Sequence, residues 1–317
     1  MLKKRSLLFA LLCPFMLMAQ QAVNIIPQPV SIEVKDGCFV IDANTAMRFN
    51  SASKDLKAAA DFFSSYIKNI SGKSLPQYGK KTKFIELKLA KTEGIGDEGY
   101  LLKVSPSSIV ITANTKAGII YGIQSLLQTL PAIRTNAALA IPAISITDYP
   151  RFKYRGMHLD VSRHFFGPEV VKEYINLMAS YKMNTFHWHL VDDQGWRIEI
   201  KKYPELTAVG AWRVDQTDKI WSSRPQAKPG EAATYGGYYT QEQIKDIIKY
   251  AAERNVTIIP EIEMPGHVAS AIASYPALSC TQQHQLPLTG GNYSGMSSNY
   301  CAGNDSVFNF LENVLTE

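Results

Sequence analysis

Alternating and apolar runs divide the first half of the chain into short strands and two helices. Five runs have the periodicity or the apolar content of strands: Ser31–Val34, Phe39–Ile41, Phe84–Leu89, Leu101–Val104 and Ile109–Thr112. Two sets recur at helical spacing instead: Leu56, Ala59, Ala60, Phe63 and Ile67, and then Ala117, Ile120, Gln124 and Leu127. The mixture predicts an α/β domain over residues 20–147, in which no group of residues suggests chemistry.

The pattern changes near Asp148, where strands and helices begin to alternate. Strands are predicted over Arg155–Val161, Thr185–Val191 and Val256–Ile259. Helices begin at Pro168 and at Thr240, which forms a capping box with Gln243. This alternation predicts parallel strands joined by right-handed crossovers, as in the first part of a (β/α) barrel. Reacting groups then belong at the C-terminal ends of the strands.

Composition and charge exclude several classes of protein. The chain has 317 residues, of which 46% are hydrophobic and 19% charged, so it is globular rather than disordered or fibrous. The formal net charge is +5, but Lys3, Lys4 and Arg5 stand in an acid-free segment over residues 1–19. The remaining 30 basic and 28 acidic residues leave only +2. We therefore expect no nucleic-acid partner.

The first 19 residues have the pattern of a secretory signal. Basic residues precede an apolar run from Leu7 to Met18, and Ala19 offers a small residue for cleavage. The run is too short to span a bilayer, and no later segment reaches 18 apolar residues, so no integral membrane span is expected. A lipid anchor at Cys13 is disfavoured because bulky Leu12 precedes it. We expect a periplasmic or extracellular protein.

Export permits disulfides among the cysteines beyond the signal. Cys280 and Cys301 lie in one stretch rich in Gly, Ser and Asn, whereas Cys38 lies far away in an apolar run. We expect a Cys280–Cys301 bridge and a buried, free Cys38. Three unpaired thiols remain the alternative, because connectivity cannot be deduced from sequence.

Polar residues gather at the ends of the second and third barrel strands. His187 and His189 share a strand face, which allows either a metal pair or two hydrogen-bonded imidazoles, and we favour the second because further His or Cys ligands are not evident. Asp192 and Asp193 follow, with Trp196 as a candidate stacking wall.

The third strand and the first add more polar residues. Glu261 and Glu263 share a face, and a Pro-Gly turn directs His267 back toward the barrel mouth. Arg155, on the first strand, is expected to point inward and meet an acceptor such as a hydroxyl-rich ligand. Together these residues, at three successive strand ends, predict a functional site.

Three runs resemble one family, the family 20 glycoside hydrolases or β-N-acetylhexosaminidases. They are Tyr154–Phe165 (YRGMHLDVSRHF), His187–Arg197 (HWHLVDDQGWR) and Pro260–His267 (PEIEMPGH). The resemblance implies an N-terminal α+β accessory domain over 20–147 and an incomplete TIM barrel over 148–317. It also implies that terminal β-linked GlcNAc or GalNAc is removed from glycans, with retention and without metal or other cofactor, by attack of the substrate's own acetamido oxygen.

The resemblance also implies roles for individual residues. Arg155 would bind ring hydroxyls of the terminal sugar, and Glu261 and Glu263 would contribute to the substrate pocket. Asp192 and His267 would form the network that tunes the catalytic acid.

One departure from the family's pattern concerns the acid itself. The family's His-x-Gly-Gly-Asp-Glu motif, which supplies the catalytic Asp-Glu pair, does not occur: Gly236-Gly237 is followed by Tyr238 and Gly290-Gly291 by Asn292. We therefore expect an N-terminal fragment that is inactive as written. Two rival functions are a metal-dependent hydrolase that uses His187 and His189, and a non-catalytic sugar-binding protein.

Overall fold

The computed structural model describes residues 23–77 and 81–317. The expected signal over residues 1–19 and Cys13 lie outside the described residues. Within the described part, no helix has both the length and the apolar character needed to cross a membrane.

In the first half, the described residues 23–77 and 81–148 form one mixed sheet with two helices packed on it. The sheet has the strand order β1-β6-β4-β5-β3-β2. Its elements are β1 (Ser31–Ile41), β2 (Thr45–Arg48), α1 (Lys54–Ser71), β3 (Lys83–Leu89), β4 (Tyr100–Val104), β5 (Ser108–Ala113), α2 (Lys116–Leu127) and β6 (Leu139–Asp148). Ser53 and Thr115 cap the two helices by accepting from backbone N–H groups of the first turns. Apolar residues of both helices and of the sheet form one buried core.

The second half is built on a parallel sheet of three strands in the order β13-β8-β7. Its elements are β7 (Gly156–Asp160), α3 (Pro168–Ser180), β8 (Thr185–His189), β9 (Val191–Asp192), β10 (Gly195–Trp196), α4 (Glu205–Ala208), β11 (Trp212–Arg213), β12 (Tyr235–Gly236), α5 (Gln241–Glu253), β13 (Thr257–Glu261), α6 (Ala269–Ser274) and α7 (Asp305–Thr316). Short 3₁₀ turns cover Trp221–Ser223 and Pro276–Leu278. The capping box of Thr240 and Gln243 is present at the start of α5.

The two faces of the parallel sheet have opposite character. Phe186 and Trp188 point to one face, where they are fully buried beside α3 and α5 in the second hydrophobic core. His187 and His189 point to the other face, as the two-residue alternation of a strand requires. This second face carries the polar side chains described below.

The two halves meet at the amino ends of the three parallel strands. Arg155, just before β7, donates from Nη1 to Glu98 Oε2 at 2.9 Å, and Asn184, just before β8, donates to Glu98 Oε1 at 3.0 Å. Asn255, before β13, donates to the Tyr121 hydroxyl at 2.7 Å. The first half therefore holds the end of the sheet opposite to its carboxyl ends.

A buried ion pair adds to this interface. Lys182 Nζ lies 2.9 Å from Asp148 Oδ2, and the Tyr100 hydroxyl donates to the same oxygen at 2.9 Å. Burial lowers the pKa of Lys182. Because each charged group of this pair is satisfied by a partner, the pair fixes how the sheets of the two halves are joined.

The structure confirms one expectation about the cysteines and corrects another. Cys280 and Cys301 form a disulfide, and Cys38 is free. However, Cys38 is exposed rather than buried. The pairing of β1 with β6 is irregular between Val34 and Cys38, residues 35–38 all face solvent, and burial resumes only at Phe39.

Candidate functional site

The carboxyl ends of the three parallel strands place polar residues side by side. The register pairs Asp160 of β7 with His189 of β8, and His189 with Glu261 of β13. The segments that follow add Arg163, Asp192, Asp193, Glu263 and His267. We call these eight residues the carboxylate-imidazole cluster.

A tight turn after β7 delivers Arg163 to the cluster. Asp160 Oδ1 accepts from the backbone N–H groups of Ser162 and Arg163, at 2.9 and 3.0 Å. The Arg163 guanidinium then reaches Asp160 Oδ2 at 2.9 Å and Asp192 Oδ2 at 2.5 Å. Burial would raise the pKa of Asp160, but the N–H and guanidinium of Arg163 outweigh it and lower that pKa.

Arg197 holds the backbone of this turn in place. Its buried guanidinium donates to the carbonyls of Val161 at 3.0 Å, Ser162 at 2.7 Å and Gly237 at 3.1 Å. Gly195 is required next to it, because a Cβ there would lie 2.2 Å from the guanidinium. Burial lowers the pKa of Arg197 to about 9.

His189 is the centre of the cluster. Its Nδ1 lies 2.7 Å from Glu261 Oε2, and its Nε2 lies 3.0 Å from Asp192 Oδ2. Burial favours the neutral ring, but the carboxylates of Asp192 and Glu261 outweigh this effect and raise the pKa of His189. Both ring nitrogens therefore donate when the ring is protonated.

Asp192 and Asp193 are fully buried, and both carboxylates contact the ring of His267. His267 Nδ1 lies 3.2 Å from Asp192 Oδ1 and 3.3 Å from Asp193 Oδ2, and half of the His267 side chain is exposed. Asp193 Oδ1 also accepts from the N–H of Ala269 at 2.9 Å and from Ser298 Oγ at 2.6 Å. His267 therefore presents one face to a ligand while buried carboxylates fix its orientation.

The pKa values of Glu261 and Glu263 are shifted in opposite directions. Burial alone would raise the pKa of both, but His189 outweighs it at Glu261 and lowers that pKa. At Glu263, burial and the neighbouring Glu261 both act to raise the pKa. Of the two acids, Glu263 is thus the one that keeps its proton to higher pH.

The structure corrects the role expected for Arg155. Its guanidinium lies at the amino end of β7 and is engaged by Glu98, by the Lys182 carbonyl at 2.8 Å and by the Phe152 carbonyl at 2.7 Å. Arg155 stands before the first residue of β7, so it cannot reach the carboxyl end where the other predicted residues meet. Arg163 is the guanidinium that lies in the cluster.

The candidate stacking wall is also corrected. Trp196 is buried in the second core and donates from Nε1 to the Ile198 carbonyl at 2.7 Å, so its ring offers no face to a ligand. Trp188 is buried in the same core. Trp221 is the exposed tryptophan, and Arg224 stands over its ring.

Among residues 23–77 and 81–317, three groups of side chains come close enough to hold a metal ion. They are His158 with His187 and Glu261, His189 with Asp192 and Glu263, and Asp192 with Asp193 and His267. His187 Nε2 lies 2.6 Å from Glu261 Oε2, and both nitrogens of His189 face carboxylates. These contacts give both imidazoles carboxylate partners, which agrees with the hydrogen-bonded arrangement favoured from the sequence.

Sequence reasoning gave no role to Arg163, and it predicted hydrogen bonds for His189 without identifying their partners. Arg163 follows Asp160 by three residues after a strand, a spacing that allows the backbone turn and ion pair seen here. For His189, the signal is that the residues paired with it on the two neighbouring strands, Asp160 and Glu261, are both acids. The contacts of Arg163 and His189 depend on how the parallel strands pair. The sequence predicts that the strands are parallel but not which residues lie opposite each other.

The raised pKa of His189 predicts a pH dependence of stability. A folded-state pKa above the ordinary value of about 6.5 contributes stability that is complete below that value and is lost as pH rises through the folded pKa. The urea midpoint of the chain is therefore expected to fall as pH rises above about 6.5. His189→Gln should flatten this fall.

His284→Gln serves as the control, because His284 is exposed and lies outside the cluster. Its pH profile should follow that of the unmodified chain. An equally steep fall in His189→Gln would show that His189 does not carry the effect.

The chemistry of the cluster suits recognition of a neutral, hydroxylated ligand. Arg163 offers N–H donors, Glu261 and Glu263 offer carboxyl oxygens, and His267 offers a ring nitrogen on its exposed side. No large apolar wall stands among these residues. The cluster can orient hydroxyl groups and hold charge in a fixed arrangement, which are requirements for stabilising a polar transition state.

Two regions of the chain match descriptions of one family. Residues 152–317 match "Glycosyl hydrolase family 20, catalytic domain", and residues 22–149 match "Glycosyl hydrolase family 20, domain 2".

Relatives and solved structures agree with these matches. A beta-hexosaminidase of Porphyromonas gingivalis is 38% identical over 306 residues, which are 94% of this chain and 37% of the relative. The N-acetyl-beta-hexosaminidase of Streptomyces plicatus, solved with Thio-NAglucal, superposes with a TM-score of 0.78 at 34% identity, covering 92% of this chain and 55% of that one. An exo beta-N-acetylglucosaminidase of Vibrio harveyi, solved with N-acetylglucosamine, gives 0.75 at 34%, covering 92% and 44%.

The chain thus spans less than half the length of the Porphyromonas relative. The chain matches both family 20 domains, and its fold superposes on 55% of the Streptomyces plicatus enzyme. The chain belongs to glycosyl hydrolase family 20.

Proposed function

We propose that the cluster forms the part of a β-N-acetylhexosaminidase site that holds the terminal GlcNAc or GalNAc of a glycan. The observation that carries the proposal is the Arg163–Asp192–His267 contact, in which a buried carboxylate fixes a guanidinium and an imidazole at the carboxyl end of the sheet. The relatives that share this fold include an enzyme solved with N-acetylglucosamine.

Each residue then has a defined task. Arg163 donates to ring hydroxyls and takes the role first expected of Arg155, while Asp192 keeps the Arg163 guanidinium and the His267 ring in place. Glu261 holds His189, and Glu263 lies at the pocket floor with a raised pKa. By resemblance to the family, the substrate's acetamido oxygen attacks the anomeric carbon with retention, so these residues position the sugar rather than form a covalent bond to it.

The proton for the leaving oxygen has to come from a group outside the cluster. The Gly-Gly-Asp-Glu segment expected from the resemblance is absent from the sequence. We propose that residues 20–147 act as an accessory domain, that 148–317 form the first three strands of a barrel, and that these 317 residues alone do not cleave.

The test is release of p-nitrophenol from p-nitrophenyl N-acetyl-β-D-glucosaminide. The 317-residue chain is expected to show no rate above buffer. An extended enzyme, in which this chain is joined to the C-terminal remainder of the Porphyromonas gingivalis relative, is expected to show turnover with retained configuration. Release by the 317-residue chain would refute its inactivity, and a folded but inactive extended enzyme would refute the proposed site.

Metal analysis separates this proposal from a metal-dependent hydrolase. The extended enzyme should keep its rate after dialysis against a chelator, since the imidazoles of His187 and His189 are held by Glu261. Loss of rate that Zn²⁺ restores would favour the metal groups instead.

Export of the protein is a further part of the proposal. The Cys280–Cys301 disulfide is of the kind that persists in oxidising compartments, which supports the secretory signal expected over residues 1–19. Fractionation of the host cell, with detection of a mature chain that begins near Gln20, tests it.

A further inference from the structure

Two histidines and a glutamate lie side by side on the polar face of the parallel sheet. The register pairs His158 of β7 with His187 of β8, and Glu261 of β13 lies two residues closer to the carboxyl ends. Residues that pair across neighbouring strands point to the same face, so the three side chains reach a common space. Their donor atoms all lie within 4.8 Å of one another. We call these three residues the His-His-Glu group.

The donor atoms of this group are those that Zn²⁺ uses in proteins. Two histidines, one glutamate and a water molecule form the ligand set of several zinc enzymes. Ligands that surround Zn²⁺ tetrahedrally at about 2.1 Å lie about 3.4 Å apart. His187 Nε2 lies 2.6 Å and His158 Nε2 lies 3.9 Å from Glu261 Oε2, on either side of that value. Small rotations of the side chains therefore bring the three atoms to ligand distance.

Neighbouring charges distinguish the His-His-Glu group from the two other groups that come close enough to hold a metal ion. Both of those contain Asp192, whose Oδ2 lies 2.5 Å from the Arg163 guanidinium. That permanent cation occupies the carboxylate and repels a divalent ion. In the described part of the chain, Glu261 makes ion pairs with histidines alone. An imidazole can give up its proton to a metal ion, whereas a guanidinium cannot.

The His-His-Glu group is also open to an ion from solvent. The exposed fraction of the side chain is 47% for His158, 37% for His187 and 27% for Glu261. By contrast, the His189 side chain is 5% exposed and that of Asp192 is fully buried. An ion bound by the His-His-Glu group can therefore keep a water molecule at the position that the protein does not fill.

We propose that His158, His187 and Glu261 form a zinc-binding site that inhibits the enzyme when it is occupied. In the metal-free protein, a proton lies between His187 Nε2 and Glu261 Oε2. Zn²⁺ takes the place of this proton, which passes to solvent.

Inhibition follows from a second contact of the same carboxylate oxygen. Glu261 Oε2 lies 2.7 Å from His189 Nδ1, and His189 Nε2 lies 3.0 Å from Asp192 Oδ2. An ion on Glu261 competes with His189 for this oxygen and so disturbs the arrangement around Asp192. The inhibition rests on the function proposed above, whereas the binding of zinc does not.

Isothermal titration calorimetry of the chelator-treated 317-residue chain with ZnCl₂ tests the site. We expect one Zn²⁺ to bind per chain and no comparable binding of Mg²⁺, which prefers oxygen ligands. His158→Gln and His187→Gln each remove one ligand nitrogen. Each should weaken zinc binding at least about tenfold, as loss of a group that merely supports a ligand already does. Circular dichroism checks that both variants are folded.

His267→Gln and His284→Gln are the matched controls, because each also removes one imidazole. His267 belongs to a different group of possible ligands, and His284 is exposed and belongs to none of the three. Both variants should bind Zn²⁺ as tightly as the unmodified chain. Binding that survives in His158→Gln and His187→Gln, or that is lost in His267→Gln, would overturn the site.

The extended enzyme tests the inhibition. Saturating ZnCl₂ should lower its turnover of p-nitrophenyl N-acetyl-β-D-glucosaminide at least about tenfold, since small displacements in a site can cost about 100-fold. A chelator should restore the rate, and His158→Gln should remove the response to zinc. A metal-dependent hydrolase would respond in the opposite sense, with its rate lost to the chelator.

The outcomes separate the zinc site from the function on which its inhibitory role rests. An active extended enzyme that binds Zn²⁺ without a change in rate would overturn the inhibition. An extended enzyme that is inactive without zinc would refute the proposed function instead, while calorimetry of the 317-residue chain still decides whether the His-His-Glu group binds zinc.

Discussion

Asp192→Asn is expected to lower the kcat of the extended enzyme about 100-fold, the size of effect seen when reacting groups are misplaced by an ångström. The Asp192 carboxylate is fully buried and faces Arg163 Nη2 at 2.5 Å, His189 Nε2 at 3.0 Å and His267 Nδ1 at 3.2 Å. Removing its charge releases all three groups at once while the volume stays the same. Turnover of p-nitrophenyl N-acetyl-β-D-glucosaminide measures the effect, and circular dichroism checks that the fold is kept.

Asp148→Asn provides the matched control for this variant. Asp148 is also buried and paired, with Lys182 at 2.9 Å, but it lies at the interface of the two halves. Its loss should lower the unfolding midpoint and leave kcat unchanged. An Asp192→Asn enzyme that turns over at the unmodified rate would remove Asp192 from the site.

Arg163→Ala is expected to lower kcat/KM of the extended enzyme about 100-fold, because hydrogen bonds from a charged group to the substrate are worth more than neutral ones. Both of its terminal nitrogens face the cluster, which places the guanidinium where the terminal sugar is proposed to bind. Steady-state kinetics should show most of the loss in KM if Arg163 binds the sugar equally in ground and transition states.

Arg155→Ala distinguishes the two arginines that the sequence offers. Its guanidinium is held by Glu98 and by two carbonyls at the other end of β7. We expect kcat/KM to be unchanged and the unfolding midpoint to fall, because Glu98 is left without its cation. A larger loss of kcat/KM in Arg155→Ala than in Arg163→Ala would contradict this assignment.

The contrast between these arginines shows how far a sequence pattern reaches. The strand pattern located β7 to within a residue at each end, since Arg155–Val161 was predicted and Gly156–Asp160 is observed. It could not say which end of the strand would face a ligand. The partner of Arg155 is Glu98, which lies 57 residues away in the other half.

Two strands of the first half escaped prediction for a similar reason. β6 contains Pro142, and its residues pair with both β1 and β4 in the interior of the sheet. β2 has four residues, of which three are buried. The alternation of β6 is interrupted at Ala143 and Ile144, next to Pro142, and β2 is too short to show a period.

Residues of the candidate site could be predicted where they directly follow a strand, but not where a loop distant in sequence brings them to the site. Asp192, Asp193, Glu261, Glu263 and His267 stand at the strand ends that the periodicity indicated. Ser298 contacts Asp193 because a loop 105 residues later in the chain folds back against the cluster. Only the disulfide hinted at that return, because it fixes where residues 280–301 begin and end.

Arg155, Asn184 and Asn255 all lie at the amino ends of the parallel strands, away from the candidate site at the carboxyl ends. Each precedes a parallel strand and contacts the first half through Glu98 or Tyr121. The contacts between the two halves and the proposed sugar site thus lie at opposite ends of one sheet, about five residues apart on every strand. We therefore expect substitutions at the proposed sugar site to leave the contacts between the two halves intact, so that the two ends of the sheet can change independently during evolution.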